Sequence, residues 1–376
     1  MRKEYLYSPG PTTVPPEALS VMGKPIFHHR TKRNQEMFRE ILEGLKYVLA
    51  TQNDVLVFAS SGTGAMEGSV SNLLSPGDRI ITVNGGKFGE RFGEIGRAYG
   101  AQVDEIMVEW GEAVDPAEIE RRLTDDVKAV YVTLCETSTG ARNDVKTIAR
   151  MVSKTPAVIV VDAISGLLCD ELLTDEWGID VVVGGSQKGL MIPPGLALCS
   201  MSKKAWAMAE SSKMPKYYFN FKKTKKSAEK ADTPFTPAVT LLRALRETLA
   251  MIRQEGRENL IKLYAKLAAA VRAGAEALGL KLYSRAPSNA VTTICIPEGV
   301  DASQLLNVIL RDELGVTFAG GQEQLKGKVF RICSMGYTNE FDIVTAISAL
   351  EMALKKLGHT FEAGAGVKAA QEVLLQ

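Results

Sequence analysis

The sequence predicts an α/β fold in which a mostly parallel β-sheet carries helices on both faces and is followed by a smaller α+β unit. Strand-like runs rich in β-branched residues alternate with helix-like segments over residues 50–201, and this alternation implies right-handed crossovers between parallel strands. Several runs are apolar throughout, which is typical of strands covered on both faces. Two further strand-like runs, with helical patterns around them, follow residue 278 and predict the smaller unit.

The elements of the larger unit follow in chain order. Residues 1–20 are rich in proline and predict an ordered, irregular arm rather than a helix. Within 33–50, Met37, Ile41, Leu45 and Leu49 recur at four-residue steps, so we expect an amphipathic helix there. The strand-like runs that would form the large sheet lie at 55–59, 79–84, 129–133, 157–162, 180–184 and 195–201.

The second half of the chain predicts a different organisation. Helical patterns occupy about 238–256 and 258–278, strand signals return at 292–296 and 329–334, helices are expected near 302–312 and 340–357, and the tail 360–376 is expected to be helical in its second half. We therefore divide the chain into an N-terminal arm (1–20), a large domain (21–256) and a small C-terminal domain (257–376).

The segment 211–236 interrupts the alternation of strands and helices. It holds seven lysines interleaved with aromatic residues and predicts one long connection, which is usually functional or disordered in a compact protein. A basic stretch with aromatic residues could bind nucleic acid. We favour a solvated loop near a subunit boundary, because no recognition module accompanies the stretch and the net charge of the chain is only +1.

Composition narrows the class of protein further. The 376 residues are 45% hydrophobic and 24% charged, as in ordinary globular proteins. No apolar run reaches membrane-spanning length, and the N-terminus lacks the apolar core of a secretory signal. The five cysteines form no CxxC pair, and the three histidines belong to no metal-binding motif. We expect a cytoplasmic protein with reduced thiols, no metal, and neither nucleic acid nor membrane as a partner.

A turn rich in small residues is a candidate anion site. The stretch SSGTGAMEG (60–68) follows a predicted strand and opens a helical pattern, so its backbone N–H groups could approach an anion. It is neither a Walker loop nor a dinucleotide fingerprint, because no GK[ST] follows and the glycine spacing differs. A tight turn before a helix explains the stretch equally well.

Asp162 and Lys188 each follow an apolar, strand-like run. For Asp162 the alternatives are a helix N-cap and a carboxylate at the carboxyl edge of the sheet, where α/β proteins bind ligands. Lys188 lies in GGSQKGLMIPPG between small and apolar residues; a solvated surface lysine is the simpler interpretation, but a partly desolvated lysine is a nucleophilic amine. One strand–connection–strand interval separates the two residues, so both can reach the same edge.

An anion-binding turn, a strand-end acid and a strand-end lysine are what pyridoxal phosphate requires. The turn would bind the phosphate, the acid would keep the ring nitrogen protonated, and the lysine would link to the aldehyde. The sequence therefore indicates a pyridoxal-phosphate site at the edge of the sheet.

The chain resembles the class V aminotransferases, in particular their alanine–glyoxylate and serine–pyruvate branch. The resemblance extends over nearly the whole chain, in family order. Its motifs are SPGPT (8–12), HHRTK (28–32), SSGTGAME (60–67), GKFGER (86–91), ETSTG (136–140), VVDAISG (160–166), GGSQKGLMIPPGL (184–196), TPAVTLLRALRE (236–247) and LKGKVFRICSMGY (325–337). The resemblance implies fold type I of the pyridoxal-phosphate enzymes, with a mostly parallel seven-stranded sheet in the large domain and a small C-terminal α+β domain.

The resemblance also implies roles for individual residues. Lys188 and Asp162 would be the catalytic residues, with Asp162 as the partner of the ring nitrogen. Arg331 would bind the substrate carboxylate, together with Gly10. The residues expected to bind the cofactor are Ser61, Gly62, Thr63, Gly64, Phe88, Thr137, Thr139, Asp162, Gln187, Lys188 and Thr236.

Three of these positions carry further implications. Phe88 would stack on the cofactor ring, and Thr236 would reach the phosphate of a neighbouring subunit, so that a homodimer shares its active sites. Arg331 lies in the apolar run VFRIC, where a charge is costly unless it is paired; a carboxylate-binding fork and a structural ion pair are the two interpretations. Two positions depart from the family pattern: Thr233 stands where relatives often have tyrosine, and Cys333 stands where many have glycine.

The expected function is transamination of a small amino acid, of the alanine or serine type, with a 2-oxo acid such as glyoxylate or pyruvate. One alternative is a lyase or desulfurase on the same fold, but Cys295 and Cys333 lie in strand-like runs rather than on a mobile loop. A second alternative is a non-catalytic, hydrogenase-associated subunit, since some members of the family carry such names.

Overall fold

The computed structural model describes residues 3–376, and its central feature is a seven-stranded sheet. The strands of the chain are β1 (Tyr5–Leu6), β2 (Asp54–Ala59), β3 (Arg79–Asn84), β4 (Gln102–Met107), β5 (Val127–Thr133), β6 (Cys135–Glu136), β7 (Ala141–Arg142), β8 (Val158–Asp162), β9 (Val181–Gly185), β10 (Leu196–Met201), β11 (Val291–Cys295), β12 (Val316–Thr317), β13 (Ala319–Gly320) and β14 (Val329–Cys333). The large sheet has the order β2-β10-β9-β8-β5-β3-β4, and only β10 runs antiparallel to its neighbours. The predicted seven-stranded, mostly parallel sheet is confirmed.

Helices cover both faces of this sheet. The α-helices among residues 3–376, including those of the C-terminal part, are α1 (Pro16–Met22), α2 (Lys32–Leu49), α3 (Gly62–Leu73), α4 (Lys87–Ala98), α5 (Pro116–Arg122), α6 (Val145–Val152), α7 (Thr174–Trp177), α8 (Lys203–Ser211), α9 (Phe221–Ala228), α10 (Val239–Glu255), α11 (Arg257–Ala277), α12 (Glu340–Lys356) and α13 (Ala365–Leu374). Along β8, Ile159 and Val161 enter one hydrophobic core while Val158 and Val160 enter the other. Because successive side chains of a strand point to opposite faces, an unbroken apolar run serves two cores.

The C-terminal part builds a second, antiparallel sheet in the order β11-β14-β13. The helices α11, α12 and α13 pack around it, and a π-type helix, Gln304–Leu314, stands where an ordinary helix was expected. The expected helix in the tail is confirmed as α13. β1 pairs in parallel with β12, so the N-terminal arm is held by the C-terminal part of the chain.

Two local predictions were wrong. The arm contains a helix, α1, because Pro16 occupies its first turn, where a missing backbone N–H costs nothing. The segment 211–236 is not one irregular connection, since α9 lies within it. Phe221 is fully buried against Phe58 of β2, with ring centroids 5.4 Å apart. Burial of this aromatic ring anchors a helix whose other face carries the lysines.

Among residues 3–376, no helix is both long enough and apolar enough to cross a membrane. In the same part of the chain, no group of three or more histidine, cysteine, aspartate or glutamate side chains is arranged to hold a metal ion. The five cysteines are free, and all but the half-buried Cys295 are buried.

Candidate active site

The predicted acid and lysine lie at the same edge of the sheet. Asp162 is the last residue of β8, and Lys188 follows the end of β9 by three residues. The two strands are parallel neighbours, with Asp162 opposite Val183, so their carboxyl ends meet. Both side chains are buried. The structure therefore brings these two residues together as the sequence predicted.

Asp162 is a buried carboxylate without a cationic partner. Its Oδ1 accepts a hydrogen bond from the backbone N–H of Ile164 at 2.8 Å. No lysine, arginine or histidine nitrogen within residues 3–376 lies within salt-bridge distance of its carboxylate. Burial raises the pKa of Asp162 to about 7. A carboxylate in this condition gains from any positive group placed beside it, such as a protonated ring nitrogen.

Lys188 is buried beneath the N-terminal arm. Its Nζ donates a hydrogen bond to the carbonyl oxygen of Pro9. Gly10 has a φ of +131°, and a Cβ at this position would collide with Nζ. The backbone N–H of Thr12 donates to the carbonyl oxygen of Gln187 at 3.1 Å. Burial lowers the pKa of Lys188, which favours the neutral, nucleophilic amine.

The glycine-rich turn forms a concave cradle at the amino end of α3. Ser61 is the N-cap residue, and its side chain makes no capping hydrogen bond. A Cβ at Gly64 would collide with Ser60 Oγ and come within 2.6 Å of the Phe219 ring, while one at Gly62 would collide with Ile164. β2, which precedes the turn, is parallel to β9 through their shared neighbour β10. The cradle therefore opens at the same edge as Lys188, at a helix amino end that favours an anion.

Gln187, next to the lysine, supplies an orphaned polar group. Its Oε1 is buried and has no hydrogen-bond partner within residues 3–376. A buried amide without a partner is costly, and native proteins rarely tolerate one. A phosphate only accepts hydrogen bonds and would leave this oxygen unsatisfied, but the N–H₂ group of the same amide can donate to a phosphate held in the cradle, as the predicted role requires.

Phe88 lies in the first turn of α4, which a distant glutamate holds in place. Glu136 Oε2 accepts from the backbone N–H groups of Phe88 at 3.1 Å and Gly89 at 2.9 Å. Glu136 is buried, and burial raises its pKa, although these hydrogen bonds and those from Ser138 oppose the effect. Glu136 is not among the predicted site residues. The signal in the sequence was an acidic residue three positions after a buried strand, in ETSTG.

The two candidate threonines occupy different positions. The hydroxyl of Thr137 lies 2.5 Å from that of Ser165, in the loop that follows Asp162. The hydroxyl of Thr139 instead accepts from the backbone N–H of Ala141 at 3.4 Å within the β6–β7 turn. Ser165 was not among the predicted site residues, because nothing in the sequence distinguishes its hydroxyl from other strand-end serines.

Arg331, in β14, is a buried cation surrounded by neutral acceptors. Its Nη1 donates to the carbonyl oxygen of Thr137 at 2.9 Å, and its Nη2 donates to the carbonyl oxygen of Gly320 at 2.8 Å. No carboxylate oxygen of residues 3–376 lies within 4.0 Å of the guanidinium. Burial lowers the pKa of Arg331 to about 10. The structural ion pair considered above is therefore wrong, and the guanidinium is available to an external anion.

Thr236 is set apart from the other predicted site residues. It is exposed and lies three residues before α10, and no hydrogen bond from residues 3–376 reaches its side chain. The neighbouring Thr233 donates its hydroxyl to the carbonyl oxygen of Phe235 at 2.7 Å, which shapes the turn. Nothing that the side chain of Thr236 hydrogen-bonds among the described residues explains its polarity.

The cysteine that replaces glycine after the FRI sequence has a structural environment. The backbone N–H of Cys333 donates to the carbonyl oxygen of Tyr7 at 2.8 Å, which links β14 to the arm. Its Sγ accepts from the backbone N–H of Met335 at 3.4 Å. Burial raises the pKa of the Cys333 thiol to about 11, so the thiol stays protonated near neutral pH.

Together, fold and site define a pyridoxal-phosphate-dependent enzyme of fold type I. The cradle of small residues, the unpaired Asp162 and the buried Lys188 match, in that order, the phosphate, ring nitrogen and aldehyde of this cofactor. A model of the aminotransferase class-V family matches residues 4–338. The chain belongs to the class V aminotransferases and is a pyridoxal-phosphate-dependent aminotransferase.

Curated proteins with similar sequences match this chain over nearly its full length. The chain is 43% identical to a protein of Synechococcus sp. called the small subunit of soluble hydrogenase, over 99% of this chain and 98% of the relative. It is 35% identical to the L-aspartate–glyoxylate aminotransferase of Paracoccus denitrificans, over 98% and 95%. It is 34% identical to the serine–glyoxylate aminotransferase of Hyphomicrobium methylovorum, over 98% and 94%.

Solved structures of aminotransferases also match this chain over nearly its full length. The ureidoglycine–glyoxylate aminotransferase of Bacillus subtilis matches with a TM-score of 0.94 and 28% identity, over 100% of this chain and 99% of that one. The alanine–glyoxylate aminotransferase of Nostoc sp. matches with a TM-score of 0.90 and 29% identity, over 94% and 96%.

Proposed function

We propose that this aminotransferase transfers the amino group of a small amino acid, of the alanine or serine type, to a small 2-oxo acid such as glyoxylate or pyruvate. The observation that carries the proposal is the buried Arg331, whose guanidinium meets only neutral acceptors and so can bind the α-carboxylate that donor and acceptor share. Three relatives, named for aspartate, serine and alanine as donor, are named for glyoxylate as acceptor. These names support the acceptor more strongly than the donor.

The side chains of the site divide the work of the reaction. When bound, pyridoxal phosphate supplies an electron sink for the carbanion at the substrate Cα. Asp162 holds the proton at the ring nitrogen, because a buried carboxylate favours a cation beside it. Lys188 Nζ, whose pKa burial lowers, takes the proton from Cα and returns it. Arg331 orients the substrate by its carboxylate.

The remaining predicted residues bind and orient the cofactor. We assign the phosphate to the turn at 61–64 and the amide of Gln187, and the stacking contact to Phe88. The hydroxyl of Thr137 lies beside Ser165, in the loop after Asp162, and is better placed for a ring contact than the hydroxyl of Thr139. Gly10 lets the arm approach Lys188 and the substrate closely.

We infer a homodimer whose sites are shared. Tyr217 is 77% exposed, and Tyr218, 40% exposed, stacks on Phe235 with ring centroids 5.1 Å apart. These rings adjoin the exposed Thr236, whose side chain has no hydrogen-bond partner among the described residues. A second subunit would cover the aromatic surface and give Thr236 a phosphate to bind. We place this dimer in the cytoplasm because its five cysteines are free, and we retain the proposed division at residues 20 and 256.

The two alternative functions lack matching chemistry. A desulfurase needs a reactive thiolate with a lowered pKa, whereas burial raises the pKa of Cys135, Cys169, Cys199, Cys295 and Cys333. A non-catalytic subunit would make no use of an unpaired buried acid beside a buried lysine. Because two relatives are named as hydrogenase subunits, the experiment must also distinguish this alternative.

The test is a set of paired half-reactions. Purified protein with pyridoxal phosphate should show visible absorbance that alanine or serine converts to that of the amino form of the cofactor, and glyoxylate should reverse the change. Lys188→Ala should abolish turnover, whereas Lys222→Ala, which changes a surface lysine paired with Glu210, should leave it unchanged. Release of sulfide from cysteine, or no spectral change with any amino acid, would contradict the proposal.

A further inference from the structure

Arg91 is a second arginine beside the active site that none of the roles above uses. It lies in α4, three residues after Phe88, so the two side chains share one face of the helix. Its Nη1 donates to the hydroxyl of Thr63 at 3.1 Å, and its guanidinium lies over the Phe88 ring, 4.8 Å from the centroid. The cation is therefore held between the phosphate cradle and the proposed stacking ring.

Arg91 also differs from the other cations of its helix. Lys87 pairs with Glu90 at 2.8 Å, and Arg97 pairs with Glu105 at 2.6 Å. No carboxylate oxygen of residues 3–376 lies within 4.0 Å of Arg91, although its side chain is partly buried. A partly desolvated guanidinium beside a cradle for anions is a site for an oxyanion.

The charge of the expected ligand supports the same conclusion. A phosphate monoester carries about −1.5 to −2 charges at neutral pH, whereas a helix amino end supplies the equivalent of only about +0.5. Apart from Arg91, the cradle residues 61–64 and Gln187 bring no positive charge. A guanidinium that already donates to Thr63 has further N–H groups to offer a phosphate in the same turn.

We propose that Arg91 is a cofactor-binding residue whose guanidinium binds the phosphate group held by the turn at 61–64. This inference rests on the proposed placement of the phosphate in that turn. Two other roles are compatible with its position. Arg91 could act on Asp162, since its positive charge opposes the rise in the pKa of Asp162 that burial causes, or it could only hold the Phe88 ring by a cation–π contact.

The three roles differ in how they depend on the phosphate group itself. A phosphate ligand discriminates pyridoxal phosphate from pyridoxal, which has the same ring and aldehyde without the phosphate. A residue that acts through Asp162 or Phe88 affects only the ring, which both compounds share, so its loss should weaken the binding of both compounds equally. Comparing the two ligands therefore isolates the proposed contact.

The experiment is a titration of the full-length protein, freed of cofactor, with pyridoxal phosphate and with pyridoxal, followed by absorbance. Arg91→Gln should weaken binding of pyridoxal phosphate by about 10- to 100-fold, the range of a charged hydrogen bond, and binding of pyridoxal by less than about threefold. Arg91→Lys should recover part of the loss, since it keeps the charge without the fork. Arg97→Gln, on the same helix, is the matched control and should change neither affinity.

Each other outcome overturns the proposal. If Arg91→Gln lost equal affinity for pyridoxal phosphate and for pyridoxal, Arg91 would act through Asp162 or Phe88. If both affinities were unchanged, Arg91 would have no role in cofactor binding. Circular dichroism of each variant separates these results from misfolding, and the Arg91→Lys variant provides a second, milder change. Wild-type protein that binds pyridoxal phosphate no better than pyridoxal would overturn the phosphate cradle itself, which is a distinguishable failure.

Discussion

Glu136 closes the amino end of the helix that carries Phe88, although the two residues are 48 positions apart in the chain. One carboxylate oxygen accepts from the backbone N–H groups of Phe88 and Gly89, and the other accepts from the hydroxyl of Ser138 at 2.6 Å. The first backbone N–H groups of a helix have no partner within the helix. A side chain from the β6–β7 hairpin therefore supplies the cap that the sequence of α4 lacks.

Replacing Glu136 by glutamine should destabilise the protein. The amide has one acceptor oxygen instead of two, so at least one buried N–H or hydroxyl loses its partner, at a cost of about 1–3 kcal/mol. The measurement is the free energy of unfolding in urea. Glu94→Gln, at an exposed position on the same helix, is the control and should change stability by less than about 0.5 kcal/mol. Equal stabilities for the two variants would remove the capping role of Glu136.

Asp162 should make the stability of the cofactor-free protein depend on pH. Burial raises the pKa of Asp162 from 3.8 to about 7. In the unfolded chain Asp162 loses its proton above about pH 4, whereas in the folded protein it keeps the proton until about pH 7, so its contribution to stability falls as pH rises between these values. Asparagine at this position does not ionise, so the Asp162→Asn variant does not lose stability in this way as pH rises.

The cofactor-free Asp162→Asn variant should therefore gain stability over wild type as pH rises from 5 to 8. The gain should be of the order of 1–4 kcal/mol at pH 8 and smaller at pH 5. Thermal unfolding of both proteins at several pH values measures it. With cofactor bound, the same variant should lose about 10²-fold or more in the rate of proton removal, because the ring nitrogen lacks its ionic partner. A stability difference independent of pH would show that Asp162 is ionised throughout.

Arg331 should decide which amines are substrates. Arg331→Ala leaves a buried substrate carboxylate without a partner, so kcat/KM for alanine and serine should fall by about 10²–10³-fold or more. Arg331→Lys should recover only part of the loss, since lysine restores the charge but not the planar fork. A decarboxylated analogue should be a poor substrate of the wild-type enzyme, and its kcat/KM should change little in the Arg331 variants. Equal losses on all three compounds would mean that Arg331 supports the structure only.

Thr236 should act across the subunit boundary. Thr236→Val removes a hydroxyl that has no hydrogen-bond partner in the described part of the chain, so it should weaken retention of the cofactor while folding is unchanged. Removal of the cofactor should also loosen the dimer, because a ligand shared by two subunits stabilises their association. Dialysis measures cofactor retention and analytical ultracentrifugation measures association, with Thr345→Val in α12 as the control. An active monomer in sedimentation would exclude this arrangement.

The sequence was most informative where function depends on position along a strand. Asp162 and Lys188 follow apolar runs, and parallel strands bring their carboxyl ends to one edge, so the pair could be predicted before any tertiary contact was known. Glu136 and Arg91 could not be found in this way. Their partners lie 48 and 28 residues away in the chain, and no spacing rule connects positions that meet only through packing.

The sequence alone predicted six strands of the large sheet, their mostly parallel arrangement and the candidate lysine and acid, because these depend on local periodicity and on strand direction; it missed the edge strand β4. Only the tertiary structure decided which charged side chains are buried and which of them have ionic partners. Among residues 3–376 it left Asp162 and Arg331 without ionic partners, and it covered Lys188 with the arm. The pKa and the reactivity of a side chain depend on burial and on the groups around it, which distant parts of the chain supply.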